Sequence, residues 1–276
     1  MTKVNALSHN RTSAISHNRI LMTRKGRKIV VRIKKGGGSK TTAAINLATS
    51  LHQKGKDKDL NVLLVDLDPQ ANATLAVGID PRTLKKNINH LLIDLSVNPK
   101  EVIVQTSYGL DLLPSHPDLS NTESGMQATQ LGVVRSLLEP IEELYDFIIL
   151  DTPPAKSYLS VSAVVAADEV LLPLQVHYLA LQGLGETLDE IDQIRKGLNP
   201  TIKVAGVLPV MYNKYTNIGK AILEELKDKY ANLVYPFEVD FSVKHIEASV
   251  AGLPIVLYDR AHQGAIAYNK LADTFL

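Results

Sequence analysis

The stretch of sequence that decides the fold is Lys34-Lys35-Gly36-Gly37-Gly38-Ser39-Lys40-Thr41-Thr42. An apolar run at 29–31 precedes it, and a stretch with helical periodicity at 43–51 follows it. This pattern predicts a buried strand, a glycine-rich turn and the start of a helix. Glycines allow several backbone N–H groups to face one anion, and a helix N-terminus adds partial positive charge. We therefore predict a phosphate-binding turn.

Side chains at the end of this turn supply the remaining chemistry of a phosphate site. Lys40 is expected to reach the β- and γ-phosphates of a nucleotide, and the Thr41 hydroxyl to ligate Mg²⁺. The usual motif, G-x-x-x-x-G-K-[ST], is matched imperfectly, because Lys34 and Ser39 occupy its two glycine positions. A glycine-rich turn without a ligand is the alternative that this stretch alone leaves open. The residues expected to bind the nucleotide are Gly36, Gly37, Gly38, Ser39, Lys40, Thr41 and Thr42.

Two further apolar runs end in carboxylates. Residues 61–65 lead into Asp66 and Asp68, and residues 147–150 lead into Asp151. Short apolar runs are typical of buried parallel strands, and open α/β sheets bind their ligands at the carboxyl ends of such strands. Carboxylates beside a phosphate turn suggest metal and water chemistry. An Asp-Pro dipeptide is also a common way to end a strand, which is the alternative for the first pair.

The rest of the chain alternates between strand-like and helix-like stretches. This alternation predicts an α/β fold with a doubly wound, mostly parallel sheet and helices on both faces. Turn-forming residues between 115 and 125 predict a surface excursion suited to binding a partner. Further strands are predicted at 110–115, 169–174 and 204–210, and helices at 88–95, 131–144, 160–167, 178–195, 220–230 and 265–275.

These motifs together resemble the ParA/MinD family of ATPases, which are P-loop NTPases with a deviant Walker A motif. The family reads K-G-G-x-G-K-T-T at the phosphate turn, V-D-x-D-P-Q after the next strand and D-x-P-P in its Walker B segment. This chain carries counterparts of all three in the same order. The resemblance runs from about residue 29 to residue 276 and departs from the family pattern at Ser39, where the family has glycine.

The resemblance implies a role for each residue that aligns with a family motif. Lys35 aligns with the signature lysine that reaches across a dimer to the partner's nucleotide. Asp68 would orient or activate the attacking water, so Lys35, Lys40 and Asp68 would be the catalytic residues. The implied cofactors are ATP and Mg²⁺. The implied metal-binding residues are Thr41, Asp66 and Asp151.

Two later segments resemble parts of the family that contact DNA. Tyr215, with the adjacent Lys214, falls where ParA relatives carry a basic residue for non-specific DNA binding. Lys244 falls on a second such arginine, in a segment at 242–248 that resembles N-V-R-L-S-E-A. These three are candidate DNA-binding residues, and the alternative is that they are ordinary solvated side chains. The family segment I-P-R, near the adenine in relatives, is replaced by Val-Asp-Phe at 239–241.

Charge is distributed unevenly along the chain. Residues 1–28 contain seven lysines and arginines and no acid, whereas the remainder has 23 basic and 29 acidic residues. A basic arm on an acidic body suggests an anionic partner such as DNA, and a disordered tail with little role is the alternative. We divide the chain into this arm (1–28) and a single P-loop ATPase domain (29–276).

The composition excludes several classes of function. The absence of cysteine excludes disulfides, thiolate metal sites and cysteine-held iron–sulfur clusters. There is no apolar run of about 18 residues that would predict a membrane span. The last residues, 271–276, lack the basic face of a membrane-binding amphipathic helix. The eight histidines show no metal-binding spacing.

The expected function is therefore that of a ParA-like ATPase that dimerises on ATP and binds the DNA of the nucleoid non-specifically. It would partition a plasmid, a chromosome or another cargo together with a ParB-type centromere-binding partner. Such a protein would be cytoplasmic and nucleoid-associated, without a membrane partner. The alternative is a nucleotide-dependent adaptor or a degenerate switch that does not hydrolyse ATP, which Ser39 would favour.

Overall fold

The computed structural model describes residues 25–34, 39–153 and 157–276. Most of the basic arm (1–24) lies outside the described residues. Four members of the predicted site also lie outside them, namely Lys35, Gly36, Gly37 and Gly38.

A seven-stranded sheet forms the centre of the described chain. The strands lie in the order β3-β4-β2-β5-β1-β6-β7. All neighbours are parallel except β3 and β4 at one edge, which are antiparallel. The strands are β1 (Arg27–Val31), β2 (Val62–Asp66), β3 (Val104–Gln105), β4 (Asp111–Leu113), β5 (Phe147–Asp151), β6 (Glu169–Gln175) and β7 (Lys203–Val210).

Helices occupy most of the segments between these strands. Within the described ranges, none of them combines the length and the apolar character that a membrane crossing requires. The helices are α1 (Ser39–Gly55), α2 (Asn72–Ala76), α3 (Ile88–Ile93), α4 (Leu119–Gly125), α5 (Val133–Leu138), α6 (Tyr158–Ala166), α7 (Ala180–Gly197), α8 (Asn217–Lys229), α9 (Lys244–Val250), α10 (Ile255–Tyr258) and α11 (Gln263–Asp273).

The central strands are buried on both faces because helices cover the sheet on each side. Val30 of β1 lies in one hydrophobic cluster with side chains of α5, α6 and α7. Its neighbours Ile29 and Val31 lie in a second cluster with side chains of α1 and α11. Successive side chains of a strand point to opposite faces of a sheet, so the two clusters are the two sides of one doubly wound sheet. The predicted fold class is confirmed.

The order of the strands determines where the predicted motifs meet. Strand β5 lies between β1 and β2. Its register pairs Asp151 with Val31 on one side and with Asp66 on the other. Because these three strands are parallel, residues 32–34, which follow β1, and the carboxylates that end β2 and β5 lie at the same edge of the sheet.

The first strand begins two residues before the apolar run. Arg27 and Lys28, which the sequence analysis assigned to the basic arm, are part of β1. The Arg27 guanidinium donates to Glu169 at 2.7 and 2.8 Å, and the Lys28 ammonium donates to Glu142 at 2.9 Å. The arm therefore ends before residue 27, because these two cations neutralise carboxylates of the folded domain.

A second difference concerns the segment that was predicted as a surface excursion. Its residues 119–125 form helix α4, and Leu119 is completely buried in the core. The hydroxyls of Ser120 and Ser124 donate to the carbonyl oxygens of Pro117 and Ser120 at 2.9 and 2.7 Å. Serine hydroxyls can bond to backbone groups in a turn or in a helix, so the polar composition did not distinguish the two.

Asn199 offers a test of how the end of α6 is held in the fold. Its buried side-chain amide donates to the carbonyl oxygens of Val164, Val165 and Ala167 at 3.2, 3.1 and 2.7 Å. We expect Asn199→Ala to lower the free energy of unfolding by about 1–3 kcal/mol, because buried carbonyl groups lose a hydrogen bond. Urea unfolding followed by circular dichroism measures the change. The exposed Asn61→Ala serves as the control, and an equal effect of both substitutions would contradict this role.

Candidate active site

Helix α1 begins with Ser39, directly after the glycine-rich stretch and beyond the carboxyl end of β1. The first four N–H groups of an α-helix have no acceptor within the helix, so the start of α1 brings backbone donors to this edge of the sheet. Lys40 is its second residue and is 6% exposed. Thr41 and Thr42 follow and are partly exposed.

Asp66 is completely buried and is held by three hydrogen bonds. Oδ2 accepts from the backbone N–H of Thr74 at 2.8 Å and from its hydroxyl at 2.7 Å, and Oδ1 accepts from the backbone N–H of Asp68 at 3.0 Å. Burial raises the pKa of Asp66, and these hydrogen bonds oppose the rise. The Asp66 carboxylate therefore fixes the start of the turn that carries Asp68 and the first residues of α2.

Asp151 is also completely buried, but its two carboxylate oxygens accept no hydrogen bond from the described residues. Burial and the neighbouring charge of Asp66 raise its pKa well above the ordinary value, and the Thr41 hydroxyl and the Lys40 ammonium act in the opposite direction. A buried carboxylate without a donor requires an explanation. The water shell of a hard divalent cation supplies such donors, so Asp151 and Thr41 fit the Mg²⁺ site expected from sequence.

The surroundings of Lys40 make the pKa of its ammonium group sensitive to a bound anion. Burial lowers its pKa and the charge of Arg32 lowers it further, whereas Asp151 and Asp68 oppose both effects. A phosphate group beside Lys40 would add negative charge and favour the ammonium form. This environment suits a lysine that binds phosphate.

A cleft of about 410 Å³ opens beside these groups. Asp68, 5% exposed, lines it and is oriented by two contacts. Its Oδ1 accepts from the backbone N–H of Gln70 at 2.9 Å, and its carbonyl oxygen accepts from the Ser115 hydroxyl at 2.7 Å. The water-orienting role of Asp68 expected from sequence stays a prediction. The polar residues that line the cleft with it include Lys40, Thr41, Thr42, Asn46 and Asn72.

Contacts that sequence reasoning missed join the chain before the glycine-rich stretch to helix α7. Arg32, 1% exposed, donates to Glu190 at 3.2 Å. The backbone N–H of Lys34 donates to the Thr187 hydroxyl at 3.3 Å, and its ammonium lies 3.1 Å from Glu186. The only available signal was the position of Arg32 between two apolar residues, which suggests a buried and therefore paired cation.

The predicted DNA-binding residues lie in two neighbouring segments. A β-bridge between Tyr212 and Asp240 brings the segment before α8 next to the segment before α9. Tyr215 is 86% exposed, and the Lys214 ammonium lies 5.4 Å from the centre of its ring. Lys244 is the first residue of α9 and is partly exposed. The bridge brings the two segments that carry the candidates next to each other, and the DNA-binding role of the three residues stays a prediction.

Lys244 is not a free cation in this conformation. Its ammonium donates to Glu247 at 2.8 Å, and this hydrogen bond raises the pKa of Lys244. Exposed apolar side chains surround the region, with Phe241, Val243 and Ile246 each more than half exposed. The surface therefore combines exposed cations with apolar area, and Lys244 would have to leave Glu247 to reach a phosphate.

Comparison with known proteins agrees with this geometry. Residues 26–204 match a family model described as an AAA domain. The sporulation initiation inhibitor protein Soj of Bacillus subtilis is 36% identical over 253 residues, which are 90% of this chain and 97% of Soj. The chromosome-partitioning ATPase Soj of Thermus thermophilus is 35% identical over 92% of this chain and 96% of its own.

Solved structures show the same fold. A protein described as cobyrinic acid a,c-diamide synthase from Mycobacterium smegmatis, with a bound ATP analogue and magnesium, superposes with a TM-score of 0.76 at 31% identity. The match covers 90% of this chain and 93% of that one. A complex of Cyanothece McdA with ATP gives a TM-score of 0.80 at 22% identity over 91% and 96% of the two chains, which shows the fold alone. From the matches to its sequence, the chain belongs to the ParA/Soj family of partition ATPases, within the P-loop NTPases that have a deviant Walker A motif.

Proposed function

We propose that this chain binds ATP with Mg²⁺, hydrolyses it slowly and uses the cycle of binding and hydrolysis to partition a cargo on DNA. The observation that carries the proposal is the meeting of Lys40, Asp68 and Asp151 at one edge of the sheet, with both oxygens of Asp151 lacking a donor among the described residues. A lysine, a water-orienting carboxylate and a free carboxylate for a metal shell are the groups that phosphoryl transfer requires of a protein.

Each group has a separate task in the proposed reaction. The start of α1 and Lys40 hold the phosphates, and the Thr41 hydroxyl and Asp151 hold Mg²⁺ and its water shell. When bound, Mg²⁺ neutralises charge on the phosphate oxygens. Asp66 takes part in the metal shell only through lone pairs that Thr74 and Asp68 leave free. Asp68 orients the attacking water from its fixed position in the cleft.

The glycines and Lys35 complete the proposed site. Gly36, Gly37 and Gly38 would allow the backbone to curl around the phosphates. Lys35 would reach the nucleotide of a second copy of the chain, so that ATP binding and dimerisation occur together. Both assignments come from the resemblance, and the organisation of the ATPase as one domain at 29–276 belongs to the same proposal.

The dimer would bind DNA without sequence preference through Lys214, Tyr215 and Lys244, with help from the basic arm. Lysines and an exposed tyrosine suit contacts to the phosphate backbone. A ParB-type partner would stimulate hydrolysis and release the dimer from DNA. The protein would then act in the cytoplasm, on the nucleoid. The cargo would be a plasmid, a chromosome or a protein assembly.

ATP binding and dimerisation can be tested together. We expect Mg-ATP to bind at millimolar concentration or below and to shift the protein from monomer to dimer. The shift should be lost in Lys35→Ala, because that lysine would bridge the two copies. Light scattering during the titration measures the mass. Absence of binding at millimolar ATP would show that Ser39 disables the turn and would favour a nucleotide-independent adaptor.

Hydrolysis tests the role of Asp68. We expect Asp68→Ala to retain ATP binding and dimerisation and to lower the rate of phosphate release at least about 100-fold, because the water loses its orienting group. Asp228→Ala, at an exposed position of α8, is the control. A turnover rate in Asp68→Ala equal to that of the control would rule out this role. No hydrolysis in the unaltered protein would favour the non-hydrolysing switch.

DNA binding tests the second surface. We expect Lys244→Ala to weaken ATP-dependent binding to all DNA sequences alike. The slope of log affinity against log salt should become shallower by about 0.9 for each phosphate that the variant no longer neutralises. Lys100→Ala, at an exposed lysine between α3 and β3, is the control. An unchanged affinity and salt slope in Lys244→Ala would show that Lys244 is an ordinary solvated residue.

A further inference from the structure

Three potential metal ligands converge outside the set of residues assigned to ATP. Asp240, His245 and His262 each contribute one ligand atom, and these atoms lie within 4.8 Å of one another. Asp240 lies just before α9, His245 is the second residue of α9, and His262 caps the N-terminus of α11. Three separate segments are needed to form the cluster, so the spacing of histidines in the sequence does not reveal it.

Several polar atoms of the cluster have no other partner. Oδ1 of Asp240 and both ring nitrogens of His245 are buried and form no hydrogen bond with any described residue. Buried polar atoms in folded proteins are nearly always paired. Burial and the neighbouring His262 lower the pKa of His245, whereas the charge of Asp240 raises it.

His262 is held in a defined tautomer. Its Nδ1 accepts from the backbone N–H of Gly264 at 3.0 Å, so the ring proton lies on Nε2, which is 3.0 Å from the Ser242 hydroxyl oxygen. A metal-binding histidine commonly offers one nitrogen to the ion while a second residue holds the other N–H. Here Nδ1 carries the lone pair, and Ser242 holds the N–H. An ion would replace the contact of Nδ1 with Gly264.

Gly264 leaves room for the two rings to approach each other. A Cβ at this position would lie 2.8 Å from Nε2 of His245 and 3.1 Å from Nδ1 of His262. The two nitrogens therefore face the same point at the start of α11. Any larger residue at 264 would displace one of the rings.

We propose that Asp240, His245 and His262 form a binding site for a divalent transition-metal ion, with Zn²⁺ as the best fit. Zinc bonds to imidazole nitrogen and carboxylate oxygen at about 2.0–2.2 Å, which places tetrahedral ligand atoms roughly 3.3–3.5 Å apart. Side-chain movements on the order of 1 Å close the present separation to this value. Two imidazole ligands disfavour Mg²⁺ and Ca²⁺, which take oxygen ligands. The fourth position stays open for water or another ligand.

The local charges show why the Asp240 carboxylate is the ligand that a cation needs most at this site. The N-termini of α9 and α11 both meet at the site, and helix N-termini disfavour a cation. The Asp240 carboxylate supplies the opposite charge. Asp240 and His245 stand where the family segments I-P-R and N-V-R-L-S-E-A have proline and leucine. His245 lines the active-site cleft as well as an adjacent cavity of about 310 Å³, so an ion here would lie at the border of both.

The test is a titration of the metal-free, full-length protein with Zn²⁺ by calorimetry, without nucleotide and with millimolar Mg²⁺ to occupy sites made of oxygen ligands. We expect one Zn²⁺ to bind per chain. His245→Leu and Asp240→Asn should each weaken binding at least about tenfold, because each removes a direct ligand. Co²⁺ offers an independent readout, since the intensity of its visible absorption reports tetrahedral coordination and should fall in the same variants.

Matched controls exclude other histidines. His9→Gln with His17→Gln alters the arm, and His116→Gln alters a surface imidazole that lies 3.2 Å from a carboxylate elsewhere in the fold. These changes should leave Zn²⁺ affinity unaltered. Asp240→Asn is nearly isosteric, so it decides the matter if His245→Leu unfolds the protein. Zn²⁺ affinity that is unchanged in Asp240→Asn, or that follows the control histidines, would overturn the proposal.

Discussion

Two carboxylates buried side by side at the end of the sheet set the main constraint on this structure. Asp66 and Asp151 are paired in register on adjacent strands, and Asp66 raises the pKa of Asp151. The two carboxylates differ in their hydrogen-bond partners. Thr74 and the backbone of Asp68 donate to Asp66, whereas neither carboxylate oxygen of Asp151 accepts a hydrogen bond from a described residue. One carboxylate therefore organises the turn, and the other keeps its oxygens available.

Much of the fold could be predicted from the sequence because the central strands are continuous apolar runs. The predicted strand at 147–151 coincides with β5, and the carboxylates that follow two of the strands could be placed from parallel topology alone. What could not be predicted depends on contacts between distant segments. Arg32 reaches Glu190 across 158 positions of sequence, and Asp240 and His262 meet only because α9 and α11 start at the same place.

The cations of this chain show why net charge is a weak guide to a binding surface. Arg27 and Lys28 belong to a basic stretch in sequence. In the structure both lie in β1 and form ion pairs, with Glu169 and Glu142 respectively. Lys244 lies at the surface, but its ammonium forms an ion pair with Glu247. The attraction of a lysine for phosphate is reduced wherever a carboxylate is already bound to it. The paired or unpaired state of each cation, which only the structure reveals, determines how strongly a surface attracts DNA.

The contacts between α7 and the chain before the glycine-rich stretch have a mechanical consequence. Glu186, Thr187 and Glu190 span little more than one turn of that helix, and together they hold both Arg32 and Lys34. Because α7 is bonded to the residues that follow β1 at several neighbouring points, a shift or rotation of α7 would also move those residues. A displacement of α7 would therefore be transmitted to Arg32 and Lys34, which lie within three residues of Lys35 in the chain.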